Sequence, residues 1–177
     1  MKNRTLVIVL LCFLAVGSCT PTRKTVQRPA QAALQEPVAD YTRDWLRYKI
    51  YRLPAEEPLT DGKRQTGKNI RLSIRVINMK DNISPLRTLC SDIQDYNTFY
   101  EYLLNGAKEE IYLVGKQDIK YPVYYAFENN YNAFPFETIN LGYTFSRHEK
   151  PEDYRLVYVD RVFAKDTLVF PLNNPKK

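Results

Sequence analysis

Histidine occurs once in the 177 residues, at His148. That excludes a zinc site built on two or three imidazoles, and with it the HExxH helix. Glycine is scarce, at six. No Walker loop or GxGxxG turn is present, so the backbone cradles for nucleotide phosphates are missing. No apolar run approaches the ~20 residues of a membrane-spanning helix; the run Leu6 to Val16 stops at 11. Cysteine is limited to Cys12, Cys19 and Cys90. Charge of one sign is not concentrated either. The chain holds 26 Lys+Arg against 20 Asp+Glu, interspersed, whereas a nucleic-acid face clusters its cations; no nucleic-acid partner is expected.

What is present is a globular composition, 44% hydrophobic and 26% charged, with 14 Tyr and 8 Phe. Its length is that of one domain. The first residues differ from the rest. Lys2 and Arg4 form a basic start, the 11-residue apolar run follows, and Gly17-Ser18-Cys19 closes it. The run has the length of a signal-peptide core.

Val16-Gly17-Ser18-Cys19 resembles the lipobox of bacterial lipoproteins, with an aliphatic residue, two small residues and a cysteine. The resemblance implies cleavage between Ser18 and Cys19, a diacylglycerol thioether on Cys19 and an acyl group on its new amine. Residues 1–18 are then the signal peptide and Cys19 is the lipidation site. Cys12 is preceded by Leu10-Leu11, too bulky for the small-residue position. The acyl chains would hold the protein on a bilayer without a transmembrane helix, and no other cofactor or metal is expected. With Cys12 removed and Cys19 blocked, Cys90 is left without a disulfide partner. A buried, small apolar role fits it better than a nucleophile paired with His148.

Residues 19–40 combine the lipidated cysteine with Pro21, Pro29 and Pro37, several Thr, Gln and Ala, and no aromatic. They read as a flexible tether with a reach of about 25 Å as a coil and ~65 Å if extended. Among Bacteroidota lipoproteins an acidic run after the cysteine marks export to the cell surface. Thr20-Pro21-Thr22-Arg23-Lys24 is the reverse, which implies an outer-membrane protein facing the periplasm.

Residues 41–177 read as a β-rich globular domain. Trp45 to Leu53 predicts a strand, and 54–68 an exposed loop. Asn69 to Met79 is the clearest strand: Ile70, Leu72, Ile74 and Val76 face one side, and Arg71, Ser73 and Arg75 the other. Apolar spacing of three and four over 91–105 predicts the one long amphipathic helix, with Gly106 as its C′ glycine and a capping box at Ser91 or Thr98. Further strands are expected over 110–114, 121–127, 136–145, 154–163 and 167–172. About seven short strands with one helix predict an antiparallel β-sandwich of the α+β class.

Catalytic groups are not assembled. Asp92 and Asp95, three apart on the predicted helix, face no second carboxylate as glycoside hydrolysis requires. Asp61-Gly62 and Asp81-Asn82 lack the further ligands of a calcium loop. His148 lies in a charged turn. No enzymatic activity is expected. The notable excess is aromatic: Tyr121, Tyr124, Tyr125, Tyr131 and Phe134 lie in one stretch with Asn129, Asn130 and Asn132. Three readings stay open for them: sandwich core, a protein interface, or a platform for a sugar ring.

Anchor, tether and small β-domain together are similar in layout to lipoproteins of the type VI secretion system, of the TssJ and TssQ kind. That similarity implies a structural or adaptor subunit of an envelope-spanning complex, docking a protein partner in the periplasm. The alternative is a glycan- or peptidoglycan-binding lipoprotein. The two differ in whether Tyr124, Tyr125 and Tyr131 line a groove.

Overall fold

A computed structural model of the chain describes residues 36–54 and 67–173. The expected signal peptide, Ser18–Cys19 cleavage, lipid on Cys19 and tether, as far as residue 35, fall outside the described residues. So does most of the 54–68 loop.

The described residues form an antiparallel β-sandwich. One sheet has five strands in the order β1 (Ala39–Arg43), β2 (Leu46–Leu53), β3 (Lys68–Asn78), β7 (Phe136–Phe145) and β6 (Tyr124–Glu128). The other has four, in the order β5 (Ile119–Lys120), β4 (Ile111–Val114), β8 (Arg155–Asp160) and β9 (Asp166–Pro171). The nine strands include the seven that the sequence pattern predicts. The two additions carry weak patterns. β1 is polar (ADYTR) and lies at a sheet edge, and β5 is two residues long. Ala39 and Asp40, read as tether, belong to the fold.

Alternation decides the register. On β3, Ile70, Leu72, Ile74 and Val76 are buried while Arg71 and Arg75 stand on the outer face, as the period-two pattern requires. The core forms between the inner faces. Tyr48, Ile50, Leu72, Ile74, Ile139 and Leu141 of one sheet meet Ile111, Leu113, Leu156, Tyr158, Leu168 and Phe170 of the other. The Tyr48 hydroxyl crosses between the sheets and donates to Asp160 Oδ2 at 2.6 Å. Asp160 also accepts from the backbone N–H groups of Val162, Phe163 and Ala164 at 3.0, 2.8 and 2.9 Å. These donors pull the chain into a turn and end β8 before residue 163, where the sequence pattern alone extends the strand.

Helical structure joins β3 to β4. A short helix, α1 (Pro85–Leu89), opens with Ser84 as N-cap and Pro85 in the first turn. The sequence reading did not include it. The expected helix is α2 (Ile93–Glu101). Its cap is neither Ser91 nor Thr98. Asp92 Oδ1 accepts from the N–H groups of Gln94 and Asp95 at 2.8 and 2.9 Å, and Asp95 Oδ2 accepts from Ser91 N at 3.2 Å. A π turn, Tyr102–Gly106, continues the helix, and a 3-10 turn follows. Gly106 is therefore not a left-handed C′ residue: its φ and ψ are −87° and −37°. It is small because the Tyr102 ring lies against it, 2.7 Å from where a Cβ would stand.

Candidate functional site

The five aromatics singled out in the sequence do not gather at one place. Strand parity separates Tyr124 from Tyr125. Tyr125 points inward, is half-buried, and donates its hydroxyl to the Leu103 carbonyl in the π turn. It fastens the helical segment to the sheet, and burial pushes its phenol well above the usual range. Tyr124 lies on the outer face over Gly142, where an added Cβ would stand 3.0 Å from the Tyr124 Cβ. Tyr131 occupies the β6–β7 turn with a φ of 52°. Phe134, from the same turn, stacks on Phe136 at 5.4 Å and 16°. Tyr121 packs on Tyr112 of β4 at 5.7 Å. Tyr124 and Tyr125 thus lie on opposite faces of the sheet, so the three tyrosines cannot line one groove together.

An apolar surface does form, centred elsewhere. The segment Ile119–Tyr124 crosses from β5, the edge of one sheet, to β6, the edge of the other. Four of its six residues are exposed and apolar: Ile119 at 56%, Tyr121 at 58%, Val123 at 72% and Tyr124 at 49%. Pro122, buried between them, fixes the backbone and withholds a donor. On the outer face of the four-stranded sheet, half-buried Tyr112 and exposed Val169 flank Val157, their shared register partner, which is itself buried. Val169 is 51% exposed. Ile119 and Val123 were missed in the sequence, although the alternation Ile119, Tyr121, Val123 around a proline marks them.

The opposite face of the sandwich, the outside of the five-stranded sheet, is cationic at its centre. β2 brings Arg47, Lys49 and Tyr51 there; β3 brings Arg71, Ser73 and Arg75; β7 brings Phe136, Thr138 and Asn140. The carboxylates on this face, Asp40 and Glu128, stand on the edge strands β1 and β6.

Reactive groups are quenched. An open groove beside His148 includes Lys120, Arg147 and Glu149. The Lys120 ammonium lies 3.0 Å from Asp118 and 2.8 Å from Glu149, and 5.6 Å from the centres of both the Phe145 and Tyr154 rings. Burial opposes its charge, but the hydrogen bonds to Glu149 and Asp118 outweigh it and raise the ammonium above its usual range. The Lys120 bond and the Ser146 N–H hold the Glu149 carboxyl down at about 2. Burial, then the nearby Asp95, pushes the Cys90 thiol up. Its Sγ donates to the Leu86 carbonyl at 3.0 Å, so it is a poor nucleophile. Among the described residues no group of three or more His, Cys, Asp or Glu could hold a metal ion.

One buried acid stands apart. Glu137, on the inner face of β7, is 1% exposed. Ser84 donates to its Oε1, while Oε2 has no partner. Burial raises its carboxyl to about 7, against the Ser84 bond and the Asn130 N–H that favour the charge. It lies behind the turn that carries Tyr131 and Phe134.

No protein-family model, curated protein or solved structure matches the chain.

Proposed function

We propose that the chain is a lipid-anchored periplasmic lipoprotein of the outer membrane that acts as an adaptor subunit of an envelope-spanning complex, of which a type VI secretion assembly is the suggested example. The lipobox-like Val16–Cys19 segment supports the anchor. The observation that carries the adaptor role is the exposed crossing Ile119–Tyr124, continued by Tyr112 and Val169. A cluster of exposed apolar side chains on a surface marks a site of association. Tyrosine is favoured there because it combines area with a polar tip.

Two experiments test the two halves. Cys19→Ala is expected to release the protein from the membrane fraction or to leave it unprocessed; unchanged membrane association would remove the anchor. A photo-crosslinking residue at 121 or 123 is expected to give a discrete adduct with an envelope protein, whereas one at Lys165 gives none. Absence of an adduct from 121 and 123 would remove the docking role.

A further inference from the structure

Lys49 and Arg75 are register partners on β2 and β3. Like charges directly opposite each other in an antiparallel pair are destabilising. A fold normally relieves such a pair with a nearby carboxylate, but here the candidates are committed elsewhere. Asp40, across from Lys49 on β1, is held by Arg47 through two bonds, at 2.8 and 2.7 Å. Glu128, at the far end of the same row, accepts from Asn140 Nδ2 at 2.6 Å. No described carboxylate lies within ion-pair distance of Lys49 or Arg75.

Arg75 is nevertheless held in place. Its guanidinium carbon lies 5.2 Å from the centre of the Tyr51 ring and 4.9 Å from that of Phe136. The two rings flank it from β2 and β7, so cation–π contact orients a guanidinium that no anion neutralises. Its Nε is buried and has no acceptor. Partial desolvation of an unpaired charge is unfavourable in the free protein, and it strengthens the attraction to an anion that arrives. Lys49 stands opposite Arg75, and Thr138 is its partner on the other side. The place has two cations, a neighbouring hydroxyl and an aromatic clamp.

We propose that Lys49 and Arg75 are a preorganised receptor for a carboxylate of a partner protein, so that a protein surface meeting the outside of the five-stranded sheet is acidic. This inference rests on the adaptor reading and adds to it a second, acidic contact, on the face opposite the one that continues the Ile119–Tyr124 surface. A guanidinium matches a carboxylate in a planar, two-bond geometry. Asp40 and Glu128 lie on the edge strands of this face, while Lys49 and Arg75 at its centre form no ion pair among the described residues, an arrangement that suits an acidic ridge.

The probe is a fluorescein-labelled decaglutamate peptide, titrated into the full-length chain in neutral detergent and followed by anisotropy. Saturable binding at ~0.05 M salt that weakens at ~0.5 M is expected. The Lys49→Gln, Arg75→Gln double variant should bind roughly tenfold or more weakly. Arg155→Gln, a cation of the other sheet, should bind as the native chain does. Undiminished binding by the folded double variant would overturn the proposal. Binding to phosphatidylglycerol vesicles but not to the peptide, lost in the double variant, would also overturn it by assigning the cations to a head group.

Should the double variant not fold, Lys49→Gln alone decides. Relief of the opposed charges should raise the Tm of the free chain, and saturating peptide should abolish that gain; an unchanged Tm would overturn the proposal. Val123→Glu keeps both cations and should bind the peptide normally. A failed peptide titration with intact crosslinking at 121 and 123 thus rejects the acidic partner alone. Loss of the crosslink rejects the adaptor reading.

Discussion

The Tyr48 hydroxyl, on one sheet, ends 2.6 Å from Asp160 Oδ2, on the other, and both groups are buried. The two partners do not matter equally. Tyr48 brings one donor. Asp160 takes that donor and three backbone N–H groups besides. Tyr48→Phe should cost about 1–2 kcal/mol of stability, the loss of one buried bond to a charged acceptor. Asp160→Ala should cost about 3 kcal/mol or more, because four donors lose their acceptor together. Urea unfolding of both variants checks the order; equal costs would show that the backbone donors find other acceptors.

Acidity should move stability in opposite directions at two sites. The Glu137 carboxyl, 4.5 when unperturbed, titrates at about 7 in the fold. The folded state therefore holds the proton more tightly. The stabilisation is complete below pH 4.5 and is lost as pH rises through 7, a change on the order of 3 kcal/mol. Glu149 has the reverse sign. Its carboxyl is lowered to about 2, so its contribution is present above 4.5 and lost as pH falls through 2. Thermal unfolding against pH should show both limbs. Glu137→Gln should flatten the decline between pH 5 and 8, and a slope identical to the native one would exclude Glu137 as its source.

Gly106→Ala should destabilise although the residue has helical dihedrals. Its new methyl would meet the Tyr102 ring at 2.7 Å, a steric cost of about 1–3 kcal/mol. With Tyr102→Ala already in place, the same substitution should cost almost nothing. A double-mutant cycle measures the coupling; additive effects would mean the ring does not confine the glycine.

Neighbouring tyrosines should separate in phenotype. Tyr125→Phe removes the hydroxyl that satisfies the Leu103 carbonyl and should cost about 1 kcal/mol of stability with partner recovery unchanged. Tyr124→Ala should leave stability within ~0.5 kcal/mol and weaken recovery of the crosslinked partner. Paired measurements of unfolding and recovery check this; a loss of recovery for Tyr125→Phe alone would reverse the assignment.

Long alternating strands were legible because burial on one face imposes a period of two. β3 and β7 follow that rule through their middle residues, where a slip of one residue would turn Arg75 into the core; at their paired ends it inverts, with Asn78 and Glu137 inside and Ile77 and Phe136 outside. What was illegible depended on contacts remote in sequence. The parity that puts Tyr125 inside and Tyr124 outside is set by pairing with Leu141 and Gly142, which the run Tyr-Tyr cannot reveal. Gly106 reads as a helix stop until the Tyr102 ring is seen beside it. Asp160 looks like one more strand residue until its turn donors are counted. The α1 helix left a local signal, Ser84 followed by Pro85, an N-cap with a proline that needs no donor. Of the five aromatic candidates, Tyr121 and Tyr124 stand beside Ile119 and Val123 for a similar reason: only the crossing between two sheet edges exposes these four together.

The strand order has a geometric result. The chain enters the sandwich at β1, one border of the five-stranded sheet, and β6 forms the opposite border. Four strand spacings lie between, roughly 19 Å. A companion seated along Ile119–Tyr124 would sit a full sheet's width from β1, so that whatever holds that first strand and whatever grips the far border need not crowd each other.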